Sequence, residues 1–122
     1  MEQTELVTFR AISNFLTDVS DAITSKYKPL ALYGRLISKT TIVNEEPILK
    51  HVGLFQNFCR TNRKSIETQN FSAFENTRIS YSERVYFDMK HIFKITNQVD
   101  HEAIWKHLLI LSTLTDLSLI HI

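Results

Sequence analysis

Five histidines, thirteen carboxylates and a single cysteine are the side chains that could carry acid–base, metal or nucleophilic chemistry in this chain. The spacing of the histidines argues against a metal. His101 and His107 lie six apart, which on a helix turns one from the other by about 240° and leaves them no shared face. His51 and His91 stand on separate segments, with no cysteine or carboxylate beside them at ligand spacing. Asp18 and Asp21, one helical turn apart, could be read as paired carboxylates. No second acid–base group joins them, and a solvated helix face accounts for both. Asp88 and His91 have the same separation and fit a helix cap. Cys59 falls on or beside an apolar stripe, where a thiol is a small buried hydrophobe; only exposure would let Arg60 lower its pKa. Walker, G-x-G-x-x-G, G-x-S-x-G and H-E-x-x-H patterns are absent, and two glycines cannot build a phosphate cradle. These residues predict a non-enzyme with no catalytic, metal or cofactor site.

The distribution of charge gives the one compositional hint of a partner. Net charge is +1, but residues 26–64 hold eight basic and two acidic side chains. The first 25 residues hold one basic and four acidic side chains, and the stretch from 65 onward five basic and seven acidic. Phe55, Phe58, Arg60, Arg63 and Lys64 interleave aromatics with cations, as single-strand binders do. Arg35, Lys39, Lys50, Arg60, Arg63 and Lys64 are therefore the candidate residues for binding nucleic acid or another partner. The competing reading has the aromatics facing the core and the cations decorating a helix end, where the dipole favours them. Dedicated nucleic-acid binders are also far more basic than this chain.

The segments that must position these groups read as helices. Hydrophobic residues make up 43% and charged residues 22% of 122, an ordinary globular balance with room for one domain. Two glycines and two prolines argue against a turn-rich sandwich or barrel. Residues 4–25 place Leu6, Phe9, Ile12, Leu16, Val19 and Ile23 three or four apart, with Thr4 as a cap. Pro29 opens a second helix that buries Leu30, Tyr33, Leu36 and Ile37 and ends near Ser38. Gly34 weakens it by about 1 kcal/mol relative to Ala. Asn44-Glu45-Glu46-Pro47 turns into a third helix over 47–63, with Ile48, Val52, Phe55 and Phe58 or Cys59 as its stripe. Residues 65–78 read as a loop that pins Phe71 and Phe74 to the core. Residues 79–87 read as an extended segment or two-stranded ribbon, followed by a short helix from its cap at Asp88 to about Thr96.

The most apolar helix runs from Asp100, its cap, to Leu117. Ile104, Leu108, Leu111 and Leu114 share a face, while Trp105 and Leu109 widen the apolar arc and leave Lys106 and Glu102 as a narrow exposed edge. An arc that wide must be packed on more than one side, which makes Ile104, Trp105, Leu108 and Leu111 the structural core. The expected fold is mainly α: one small domain, residues 1–122, of four to five helices.

One cysteine cannot form an internal disulfide, the acidic N-terminus lacks a signal-peptide core, and no stretch reaches a membrane-spanning length. The expectation is an intracellular protein of cytoplasm, nucleus or virion interior, with no membrane partner.

The run Ile79-Ser80-Tyr81-Ser82-Glu83-Arg84-Val85-Tyr86-Phe87-Asp88-Met89-Lys90 is followed by Ile104-Trp105-Lys106-His107-Leu108-Leu109 and Leu111-Ser112-Thr113-Leu114. Together these resemble uncharacterised short helical proteins of large nucleocytoplasmic DNA viruses. The resemblance covers residues 78–116 and implies a viral origin, without implying an activity or any functional residue. Leu117-Ser118-Leu119-Ile120-His121-Ile122 resembles translated sequencing-adapter read-through. That implies a chain truncated after about Asp116 and an apolar tail that should not be read as a binding surface.

These readings predict a helical protein-interaction protein, an adaptor or scaffold that binds another protein through a helix face or groove. The alternative is a nucleic-acid-associated accessory protein using the basic 35–64 segment. Trp105→Ala should cost about 3–5 kcal/mol in chemical denaturation. An unchanged stability would contradict the buried central helix.

Overall fold

In a computed structural model, residues 1–23 and 26–120 are described, with side chains through Asp116. The described residues form six helices and one small ribbon, in the order α1 (Gln3–Ile23), α2 (Lys28–Lys39), α3 (Glu45–Thr61), α4 (Arg63–Glu67), a 3-10 turn (Phe71–Ala73), β1 (Arg78–Ser80), β2 (Tyr86–Asp88), α5 (Met89–Ile95) and α6 (Gln98–Ile120). The mainly α class and the ribbon agree with the periodicity of the sequence. The sixth helix is α4, within the stretch read as a helix end and a loop. His121 and Ile122, the end of the read-through stretch, and residues 24–25, where the first helix was expected to finish, lie outside the described residues.

α6 organises the packing. It lies against α1, α3 and α4, while α1 also carries α2 and α3. Ile104, Trp105, Leu108 and Leu111 are all buried in it. They meet Ile12, Phe15 and Leu16 from α1 and Ile48, Phe55 and Cys59 from α3 in one contiguous apolar core. Aromatic rings fill the two ends of that core. Phe15, Tyr33, Phe55 and Phe87 form one group, with Tyr33 and Phe87 centroids 5.3 Å apart at 82°. Phe71, Phe74, Phe93 and Trp105 form the other, with Phe93 and Trp105 4.5 Å apart. Such edge and offset contacts add to plain area burial. Phe74 is buried and Phe71 stacks flat on Phe93 at 5.0 Å, so both side chains of that loop reach the core.

The helix ends differ from the sequence reading in instructive ways. Thr4 lies inside α1, where its carbonyl accepts the Thr8 hydroxyl; the Glu5 carboxylate instead accepts the Glu2 N–H. α3 begins at Glu45, so Pro47 falls within its first turn. Asn44 turns its side chain backward to accept from the Thr41 N–H and hydroxyl. Asn97, not Asp100, caps α6, accepting the Asp100 N–H at 2.9 Å. Asp88 does cap α5, accepting from the Lys90 and His91 N–H groups. Gly34 sits where α2 crosses α1. A Cβ there would come within 3.1 Å of Ser20 Oγ, which accounts for a glycine inside a helix.

The helix expected over 47–63 breaks at Asn62. This residue is only 2% exposed. Its amide donates to the carbonyls of Phe58 at 3.1 Å and Glu75 at 2.9 Å, and its Oδ1 accepts the Glu75 N–H at 2.7 Å. One side chain thereby bonds the end of α3 to the loop behind it, while Ile66 of α4 plugs the core. The ribbon pairs Ile79 with Phe87, antiparallel, and both side chains point inward. Asn62→Ala should lower the unfolding free energy by about 1–3 kcal/mol, because the Glu75 carbonyl and N–H lose this partner together while the Phe58 carbonyl keeps only the backbone N–H of residue 62. A denaturation curve matching the parent would show that water replaces the amide without cost.

Candidate functional site

The six candidate cations are distributed over three helices. Arg35 and Lys39 are exposed one turn apart on α2, Lys50 and Arg60 are exposed on α3, and Lys64 is exposed on α4. Two of the six are engaged. Lys50 Nζ sits 4.5 Å from the centroid of the Tyr81 ring, and Arg63 pairs with Asp116 of α6. Phe55 and Phe58, which interleave with the cations in sequence, are buried. Their faces are therefore closed to the base stacking on which single-strand binding depends.

The second surface belongs to α6. Leu109 is 38% and Ile110 53% exposed, which departs from the reading of Leu109 as part of the buried arc and of Lys106 and Glu102 as the whole exposed edge. With Thr113 and Leu114 they form an open, shallow apolar patch on α6. Along the outer side of the helix, Glu102 and Lys106 are exposed one turn apart, and the surface becomes apolar from Leu109 onward.

Sequence spacing concealed two polar pairs. Asp18 of α1 and His107 of α6 are 89 positions apart, yet Asp18 Oδ2 lies 2.9 Å from His107 Nε2. A carboxylate–imidazole pair can activate a proton acceptor only beside space for a substrate. The cleft beside this one, between Val19, Ala22, Ala103 and Ile104, holds about 30 Å³, room for about one water. A second, polar cleft of about 280 Å³ adjoins it and shares Ala22, Thr96 and Asp100; the pair itself clasps α1 to α6, and the His107 ring packs edge-on against Phe15 at 5.7 Å.

The other pair is buried. His51, fully buried on α3, has its Nδ1 2.8 Å from the Tyr33 hydroxyl. The phenol is the stronger donor, so its O–H donates to Nδ1 and Nε2 carries the ring hydrogen. Among the described residues that Nε2 has no hydrogen-bond partner. Burial pushes the imidazole pKa down to about 4, with Lys50 adding to the shift, and drives the Tyr33 phenol well above its ordinary range. His51 lies on the same face as Ile48, Val52 and Phe55, and that spacing was the available signal for its burial.

The remaining reactive groups have structural partners. Asp88 accepts the His91 N–H, and the His91 ring rests on Tyr27 at 4.6 Å. His101 Nε2 donates to the Phe93 carbonyl at 2.7 Å. Cys59 is 1% exposed, and burial pushes its thiol up to about 12, so no thiolate forms near neutral pH. Among the described residues no three His, Cys, Asp or Glu side chains converge as metal ligands. Nor is any described helix long and apolar enough to cross a membrane.

No curated protein and no solved structure matches the chain. A family model, described as a family of unknown function (DUF5891), matches residues 8–118 and so contains every helix core described above together with the stretch 78–116. With nearly its whole length inside that match, the chain belongs to this family of unknown function.

Proposed function

We propose that this protein is a non-enzymatic helical interaction module that takes an amphipathic helix of another protein against the outer face of α6. The observation that carries the proposal is the exposure of Leu109 and Ile110 beside Thr113 and Leu114, an open apolar patch on the helix that also holds the core together. A partner helix presenting apolar residues at three- and four-residue spacing can pack against such a helix face. The charged pair Glu102 and Lys106 lies just before it and would orient the partner by charge. The buried, unpaired Cys59 is compatible with a reducing intracellular setting, and the likeness of residues 78–116 to short viral proteins supports a viral one.

A nucleic-acid role rests on Arg35, Lys39, Arg60 and Lys64, which are exposed and have no ion-pair partner among the described residues. It is the weaker reading, since the aromatics beside these cations are buried.

A photoreactive residue placed at position 110, in the cells that make the protein, should yield one discrete protein adduct. The same residue at exposed position 14 on α1 should yield none. Failure to crosslink at 110, or identical adducts from both positions, would remove the proposal.

A further inference from the structure

The ribbon is the piece of this fold least able to stand alone. It has two strands of three residues each, and an isolated two-stranded hairpin is marginal in water. Its base is well anchored. Ile79 and Phe87 are buried, the Asp88 N–H donates to the Tyr27 hydroxyl at 2.9 Å, and the Met89 N–H donates to the Thr77 carbonyl at 2.9 Å. The tip is held differently. Ser82, Glu83 and Arg84 are exposed, and the Tyr81 and Ser82 N–H groups close the turn on the Val85 carbonyl. Two side chains join this turn to the bundle: Val85 packs against the core, and Tyr81 stacks on His51 at 4.3 Å and 26°.

The surroundings of His51 tolerate an uncharged ring only. From α1 it meets Phe9, from α2 the Tyr33 phenol, from α3 the Lys50 ammonium beside Tyr81, and from the ribbon Tyr81 itself. None of these is an anion. A proton on the ring would leave a buried cation whose Nε2–H has no acceptor among the described residues. Besides unfolding of the whole bundle, water can reach the ring if Tyr81 lifts away with the tip. Lifting the tip breaks far fewer contacts. We propose that the ribbon tip, Tyr81–Val85, is an acid-released flap whose latch is the Tyr81–His51 stack.

The direction follows from linkage. Closed, the imidazole is held down to about 4 by burial; open, it returns toward the ordinary value of 6.5. The open state thus binds the proton more tightly. Above about pH 6.5 neither state is protonated and the flap stays shut. Between there and about pH 4 the open population rises about tenfold per pH unit, and below that it levels off.

Residue-resolved hydrogen exchange between pH 7 and 4.5, corrected for intrinsic rates, tests this on the intact protein. Once Tyr81 leaves His51 the unsupported turn frays and frees the Tyr81 and Ser82 amides from the Val85 carbonyl, so their protection should fall about tenfold per unit below pH 6.5, while the Ile12 and Leu108 amides hold theirs. In His51→Phe the pH dependence of the tip should vanish; if that variant does not fold, His51→Gln carries the comparison. Tip protection that is independent of pH, that falls equally in the substituted protein, or that falls only in step with Ile12 and Leu108 would overturn the proposal.

Discussion

A helix that is apolar nearly all the way round has to be surrounded, and α6 imposes that constraint on everything else in this chain. Amphipathic α1 and α3 can each turn one stripe to a core and the other side to water. α6 cannot. It is covered by α1 on one flank and by α3 and α4 on others, and the loop carrying Phe71 and Phe74 closes over the end at Trp105. Enclosure stops short of completion at Leu109 and Ile110, where no element of the described chain lies over the helix. The same physical property therefore accounts for the core and for the proposed docking face.

Polar groups inside the bundle fall into two kinds, and the difference is one of satisfaction. Asn62 has its amide and carbonyl matched to three backbone groups and fixes a junction between two helices and a loop. Its low dielectric surroundings strengthen those bonds. His51 is half-satisfied, with one nitrogen bonded to Tyr33 and the other without a hydrogen-bond partner among the described residues. The first kind rigidifies a fold. The second marks a place where the fold has a reason to open when the solvent supplies a proton.

Much of the architecture was legible in the sequence because it rests on period and composition. Three- and four-residue apolar spacing marks α1, α3 and α6, and Asp88 announces α5. The β-prone residues around Ile79 and Val85–Phe87 mark the ribbon. α4 was not legible: it spans five residues and buries one side chain, Ile66, which is too short for a period to show. The cap at Asn97 escaped because Asp100 follows within three positions and competes for the same assignment. Of the site features, the exposed cations could be named but not placed, since spacing along a chain does not say which helices become neighbours. The Asp18–His107 clasp and the Tyr33–His51 pair join segments 89 and 18 residues apart, and only packing brings them together. The exposure of Leu109 was hidden for the opposite reason: a continuous apolar arc carries no mark of where its cover ends.

The central claim is that the outer face of α6 is apolar for a partner and not for the fold. Its most direct measurement is the unfolding free energy of Ile110→Ser against the parent by chemical denaturation. A free surface predicts a difference within about 0.5 kcal/mol. A loss of about 2 kcal/mol or more, the scale of an aliphatic side chain removed from a core, would mean that Ile110 is already covered and that the face is not available to anything else.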